Sequence, residues 1–340
     1  MRIGVFGLGR LGPRLASLMH TGEVAGDVTL AGWAPSNPAE SLPSWARTLG
    51  LVQPMGAASL LREAEAVVVD LSWDARWHSR EVLTETALDA GKAVLVDAPL
   101  ADLLDTYDRI ERARERSGAR LLSVRPLRRT RSVRSGLEAV LGRELGEILA
   151  VYASLHLPAS RAGGGPDRAD NVGSVAPVAE PPEASLGQYI ADLLDPALSF
   201  AGSSLSRLYA LARDGEADGS FETVHVVART AREVVVTLDV ARSLPTSLGT
   251  RREALFEVTG EHGFLRVAPD AADVRVVGNF GEVHLPWRDD PLGDAIQAWL
   301  LGEEDTPLER AADREVIAAL RMMKRSRAIG QAVGAKVPGS

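Results

Sequence analysis

The residues best suited to chemistry by type and spacing stand near the start of the chain, where Gly7-Leu8-Gly9-Arg10-Leu11-Gly12 has the pattern G-x-G-x-x-G. Ile3, Val5 and Phe6 before it suit a buried parallel strand. Pro13 after it suits the first turn of a helix, where a missing N–H costs nothing. A strand that breaks into glycines at this spacing and then opens a helix is a cradle for the diphosphate of a dinucleotide. Gly7 permits the tight turn, Gly9 leaves no side chain between backbone and phosphate, and Gly12 lets the helix approach the strand. The helix would run through Leu15, Ala16, Leu18 and Met19, its first N–H groups and its dipole facing the anion. Gly7, Leu8, Gly9, Arg10, Leu11 and Gly12 are the first candidate cofactor-binding residues, for NAD or NADP; the plainer reading is a glycine-rich turn.

Val28 to Trp33 reads as the second strand, near whose end a carboxylate would accept the ribose hydroxyls of NAD. None occurs before Glu40. Ser36 and Asn37 could hydrogen-bond a ribose or a 2′-phosphate, although a polar turn flanked by prolines would look the same. The missing carboxylate tilts the expectation slightly toward NADP.

The elements that must position these groups follow from pattern. Ser44 to Leu49 and Ser59 to Ala64 suit short helices, and Ala66 to Leu71 is a buried strand. Ser79 to Ala90 is helical and ends at Gly91, Ala93 to Val96 is a strand, Asp102 to Ser117 a charged helix, and Arg120 to Val124 another strand. Strands alternating with helices over residues 1–125 indicate a doubly wound parallel sheet, an NAD(P)-binding Rossmann domain. Ligands gather at the carboxyl ends of such strands, which adds Leu71, Ser72, Asp97, Ala98 and Arg125 to the cofactor-side candidates. Arg125 could hold a carboxylate or phosphate in two-pronged fashion, or simply form a salt bridge.

Residues 126–340 read differently, as an α+β domain for substrate and oligomerisation. Thr130 to Leu141 suits a helix, Glu147 to Leu157 a long strand, and Ser185 to Phe200 a helix. Pro158 to Glu183, rich in Gly, Pro, Ala and Asp, reads as a lid or a loop. Phe221 to Arg229, Glu233 to Val240, Ala254 to Val258 and Gly281 to Leu285 read as strands of an open, mainly antiparallel sheet. A helix from Pro307 to Ile329 closes the chain, and it could pack back on the first domain.

Composition bounds the rest. The 340 residues, 45% hydrophobic and 25% charged, are ordinary for a globular protein, and a net charge of −8 gives no reason to expect nucleic acid or an anionic membrane as partner. Cysteine is absent, which excludes thiolate chemistry and cysteine zinc sites. No apolar run is long enough to span a bilayer, and the default expectation is a cytoplasmic protein. Lysine occurs only at Lys92, Lys324 and Lys336. The histidines are isolated and no metal site is expected; His156 alone merits a test as a site residue. Trp73, Trp77 and His78 could wall a pocket, although interdomain packing is the more common reason for such residues.

Taken together, the segments resemble the Gfo/Idh/MocA oxidoreductases, named after glucose-fructose oxidoreductase and inositol dehydrogenase. The likeness rests on the glycine loop, on Ala87 to Ala101 with its Ala90-Gly91-Lys92 and Asp97-Ala98-Pro99, on Leu145-Gly146-Glu147-Ile148, and on the closing Ser326 to Gly330. It implies a Rossmann domain followed by an open antiparallel sheet, binding of NAD(P), action on a small sugar-like, cyclitol or other carbonyl substrate, and a homodimer or homotetramer formed through the sheet.

The departures bear on chemistry. Where the family has Glu-Lys-Pro, this chain has Asp97-Ala98-Pro99, so the lysine that steers the substrate oxygen is a methyl group. Where the family has Asp-x-Gly-x-His-x-x-Asp, Gln188, Ile190, Asp192 and Asp195 take the four named places, and no histidine lies between His156 and His225. Hydride transfer between an alcohol and a carbonyl needs a group to exchange the hydroxyl proton. The candidates are Asp192 and Asp195, three residues apart on one helix, and Asp97; Tyr189 reads as a packing residue. Two close carboxylates would push one pKa upward and make a usable acid. A capping or salt-bridging pair is the simpler reading of the two aspartates, and the alternative for the whole chain is a cofactor-binding pseudoenzyme or non-dehydrogenase relative that has lost the family's lysine and histidine.

Overall fold

The computed structural model describes residues 1–335 apart from 8, 25–26, 36–40, 52, 72–76, 159–185, 215–220, 245–252, 270–272, 279–280 and 287–289. The segment expected as a lid or loop lies almost wholly outside the described residues. Backbone contacts divide the chain into two units, Met1–Arg129 with Glu183–Asp192 and Asp290–Arg321, and Thr130–Pro182 with Leu193–Asp289 and Met322–Ser340.

In the first unit, β1 (Arg2–Phe6), α1 (Leu11–Thr21), β2 (Thr29–Ala34), α2 (Ser44–Thr48), α3 (Ala57–Glu63), β3 (Ala66–Val69), α4 (Trp77–Asp89), β4 (Ala93–Asp97), α5 (Leu104–Ser117), β5 (Leu121–Val124) and α6 (Pro126–Arg129) follow one another. The strands form a five-stranded sheet of order β2-β1-β3-β4-β5, every pair parallel. Near-continuous apolar runs such as Ala66–Val69, buried at each residue, are what a parallel sheet covered on both faces requires. Val67, Val69, Val94 and Val96 pack with Leu88, Tyr107 and Ile110 in one cluster, and Val5, Val68 and Leu95 with Leu11, Leu15 and Trp299 in another. Trp299 belongs to a helix later in the chain, so the first unit is completed by residues that its opening 129 do not contain.

The second unit holds α7 (Arg131–Leu141), capped by the Thr130 side chain on the Val133 N–H, and β6 (Ile148–Pro158). The helix α8 (Leu186–Ala201) has its residues up to Asp192 in the first unit and the remainder in the second. Then come β7 (Leu205–Asp214), β8 (Phe221–Thr230), β9 (Val235–Leu244), β10 (Glu253–Gly260), β11 (Gly263–Val267), β12 (Asp273–Gly278) and β13 (Gly281–Pro286). The chain ends with α9 (Pro291–Leu300), α10 (Pro307–Ile329) and the short β14 (Val333–Gly334). The nine-stranded sheet runs β13-β12-β11-β10-β6-β9-β8-β7-β14, antiparallel except that β6 and β9 are parallel. The parallel pair is topological: β6 and β9 are neighbours in space but separated in sequence by α8, β7 and β8.

Candidate functional site

The carboxyl ends of β1, β3 and β4, adjacent in the parallel sheet, bring the candidate residues of the first unit together. Gly7 turns with φ +92°, a conformation open to glycine at little cost. Its N–H donates to the Ala34 carbonyl at 2.9 Å, and the Trp33 indole donates to its carbonyl at 2.7 Å. Helix α1 then opens at Leu11, with first-turn N–H groups that have no acceptor inside the helix.

Those donors are taken, and by a residue that the sequence reading passed over. Asp70, next after β3, accepts the Leu11 N–H on Oδ1 at 2.9 Å and the Gly12 N–H on Oδ2 at 2.6 Å, while its main-chain carbonyl accepts the Gly9 N–H at 2.8 Å. Asp70 is 1% exposed. Burial pushes its pKa up to about 7 and the nearby Asp97 charge adds to the rise; the Gly12 and Leu11 amides and Arg10 oppose it. The glycines make room for this side chain. A Cβ on Gly9 would lie 2.3 Å from Asp70 Oδ1, one on Gly7 2.5 Å from the Asp70 carbonyl, and one on Gly12 3.0 Å from Asp70 Oδ2. One sequence signal pointed here: a lone carboxylate closing an apolar strand must find donors, and in this strand order the nearest orphan amides are those of α1.

Arg10 leaves the loop in another direction. Its guanidinium donates to Asp97 from Nε at 3.1 Å and to Asp192 from Nη1 at 3.2 Å, forming a buried ion trio between the end of β4 and α8. The cation stays protonated, its pKa raised by Asp192 and Asp97 against the cost of burial. Gln188, one turn before Asp192, donates to the Ala98 carbonyl at 2.8 Å and to Asp192 Oδ1 at 3.4 Å. Buried Arg80 donates to the Pro99 carbonyl, fixing the turn that ends β4; burial pulls its pKa down to about 10, partly offset by Asp97 and Glu81. Asp192 and Asp97 are therefore brought together, with an arginine between them. Asp195 is buried one helical turn further on, where its carbonyl accepts the Ser199 hydroxyl at 2.7 Å.

Other candidates fall elsewhere. Arg125 is 3% exposed and engaged inside the first unit, donating to Asp305 at 3.0 Å, to the Ser123 and Glu309 carbonyls at 3.2 Å, and pairing with Asp313 at 2.9 Å. Of the two readings of Arg125, a ligand clamp or a salt bridge, the structure forms the salt bridge, with two carboxylates of the Asp290–Arg321 segment. Leu71 is buried beside Gly7, and Tyr189 is buried in α8. Lys92 precedes β4 and so stands at the opposite end of that strand from Asp97. His156 Nδ1 lies 2.9 Å from the Ser243 hydroxyl on the neighbouring strand. Leu8, Ser36, Asn37, Ser72 and Trp73 lie outside the described residues. Among the described residues no cluster of three or more His, Asp or Glu could hold a metal ion.

No family model matches the chain, and no curated protein matches it in sequence. Solved structures do match over nearly the whole length. A levoglucosan dehydrogenase in complex with NADH and levoglucosan superposes with TM-score 0.76 at 15% identity, over 99% of this chain and 100% of the other. An oxidoreductase from Agrobacterium radiobacter in complex with NAD+, L-tartaric acid and magnesium gives 0.73 at 18%, over 98% of each chain. The apo scyllo-inositol dehydrogenase from Lactobacillus casei gives 0.71 at 17%, over 99% and 98%. The chain shares the fold of these dehydrogenases. Within that fold two of the cradle's amides, those of Leu11 and Gly12, are bound to the Asp70 carboxylate, which does not suit a diphosphate on the same donors. The N–H groups of Gly7, Gly9, Leu11 and Gly12 all have internal acceptors, and a second anion would meet the Asp70 carboxylate at the same amides. No helix among the described residues is long and apolar enough to cross a membrane.

Proposed function

We propose that this Gfo/Idh/MocA-fold chain has given up hydride transfer and acts as a binding protein for a small polar ligand. The observation that carries the reading is the Arg10 guanidinium held between Asp97 and Asp192. A dehydrogenase needs a side chain that gives and takes the substrate's hydroxyl proton, worth about 10²–10⁴ in rate. Arginine does not deprotonate, and it occupies both Asp97, at the end of β4, and Asp192, on α8. Ala98 carries no base where the resemblance implies lysine, and Asp192, where it implies histidine, is held by Arg10.

A second reading is favoured by the fold shared with dehydrogenases bound to NADH and NAD+. In it the chain is an NAD(P)-dependent oxidoreductase for a sugar-like, cyclitol or other small carbonyl or alcohol substrate, with Asp192 or Asp97 exchanging the proton once substrate displaces Arg10. Copies of the chain would associate through the nine-stranded sheet in either reading, where Leu149, Leu211, Val227, Val235 and Phe264 are exposed. The test is a panel of polyols, sugars, cyclitols and their carbonyl partners with all four nicotinamide nucleotides, followed by nicotinamide absorbance. No turnover above background is expected. Turnover that is lost in Asp192→Asn would establish the oxidoreductase instead.

A further inference from the structure

We infer that Asp70 is an internal anion filling the diphosphate cradle, so that the native chain does not hold a dinucleotide and loss of this one carboxylate opens the cradle to it. Three independent features of the geometry converge on this. First, both carboxylate oxygens are used on the amides of Leu11 and Gly12, at 2.9 and 2.6 Å, which are the orphan donors at the start of α1. Second, the space that glycine provides at position 9 faces Asp70 itself, whose Oδ1 would lie 2.3 Å from an added Cβ. Third, the two arginines described around the loop and the end of β4 are already committed. Arg10 is bound to Asp97 and Asp192, and buried Arg80 to the Pro99 carbonyl. A diphosphate entering with Asp70 ionised would place like charges on one pair of donors, which is strongly unfavourable in a buried site.

The carboxylate thus does intramolecularly what a coenzyme phosphate does in trans. It satisfies the first-turn amides and opposes the α1 dipole, so the loop keeps its fold with no ligand. This goes beyond the loss of hydride transfer and can fail separately from it: a chain that bound NADH without turning over would retain the proposed function and refute the role of Asp70.

The experiment compares wild type with Asp70→Ser and Asp70→Asn in titrations of NADH, NADPH and ADP, read by intrinsic tryptophan fluorescence at mildly alkaline pH. Trp33 reports from beside the loop, through its indole bond to Gly7. Circular dichroism and thermal melting establish that each variant is folded. Wild type is expected to show no saturation into the millimolar range. Asp70→Ser, which removes the charge and the bulk, is expected to saturate at least about tenfold tighter than any wild-type response. Asp70→Asn keeps the size but sets its NH₂ against one of the two amides, and is expected to lie between the two. Micromolar binding of any of the three nucleotides by wild type overturns the inference whatever the variants do. A folded Asp70→Ser that binds no better than wild type overturns it equally. If Asp70→Ser does not fold, Asp70→Asn carries the same two outcomes.

Discussion

The Asp70 carboxylate and the Gly12 main-chain N–H are 2.6 Å apart, and that bond joins the end of one parallel strand to the start of the helix that follows its neighbour. In an open α/β sheet this junction is where ligands are held. Here it is closed from within by a side chain of the same sheet. The glycine pattern that announces a nucleotide site serves a protein carboxylate, because both demand an approach to bare backbone.

The dependence of the glycines on Asp70 can be measured as a coupling. Gly9→Ala puts a methyl group 2.3 Å from Asp70 Oδ1 and should destabilise wild type by about 1–3 kcal/mol in denaturant unfolding. In an Asp70→Ser background, where that oxygen is gone, the same substitution should cost less than half as much. Additive costs would mean that Gly9 answers to something other than Asp70.

Stability should also carry the titration of Asp70. Its pKa rises from 3.8 unfolded to about 7 folded, so the folded state favours the protonated form. The contribution is full below 3.8 and is lost as pH rises through about 7. The groups facing it are Asp97, which raises the value, and Arg10 with the amides of Leu11 and Gly12, which lower it. The stability difference between wild type and Asp70→Asn should therefore change by about 4 kcal/mol across that window, wild type losing ground as pH rises. Parallel stability curves from pH 4 to 8 would show that the two charge states are held equally well, so that burial is not the dominant influence on this carboxyl group (pH limits about those of the titration).

The buried trio predicts a cost for breaking it. Arg10→Met leaves Asp97 and Asp192 facing one another without a cation and should lower stability by about 3–5 kcal/mol. Replacing all three with Arg10→Met, Asp97→Asn and Asp192→Asn together should recover much of that. A single substitution that is neutral in thermal melting would remove Arg10 from the account.

Arg125→Met provides the matching test for the second buried arginine. Its partners Asp305 and Asp313 are almost fully buried, so a loss of about 3–5 kcal/mol is expected. A stable variant with altered ligand response would return Arg125 to the site.

Much of the architecture was legible in the sequence because it is written in periodicity. The apolar run Ala66–Val69 and the helix-ending glycine at Gly91 are local signals, and the parallel sheet follows from the alternation of strands and helices. What was not legible depends on which residue meets which across the fold. Arg10 reads as a phosphate-side residue by its place in the loop, yet two carboxylates 87 and 182 residues away decide where it points. Arg125 looked available because Asp305 and Asp313 lie far along the chain, in a segment that backbone contacts join to the first unit. Asp70 was hidden differently, inside a strand whose hydrophobic pattern drew the eye away from its one charged residue.

The central claim concerns which anion the α1 amides hold, and a crystal of wild-type protein grown with millimolar NADH tests it most directly. The account predicts density for the Asp70 carboxylate on the N–H groups of Leu11 and Gly12 and none for a diphosphate there. A coenzyme diphosphate on those two amides, with Asp70 rotated away, would contradict it.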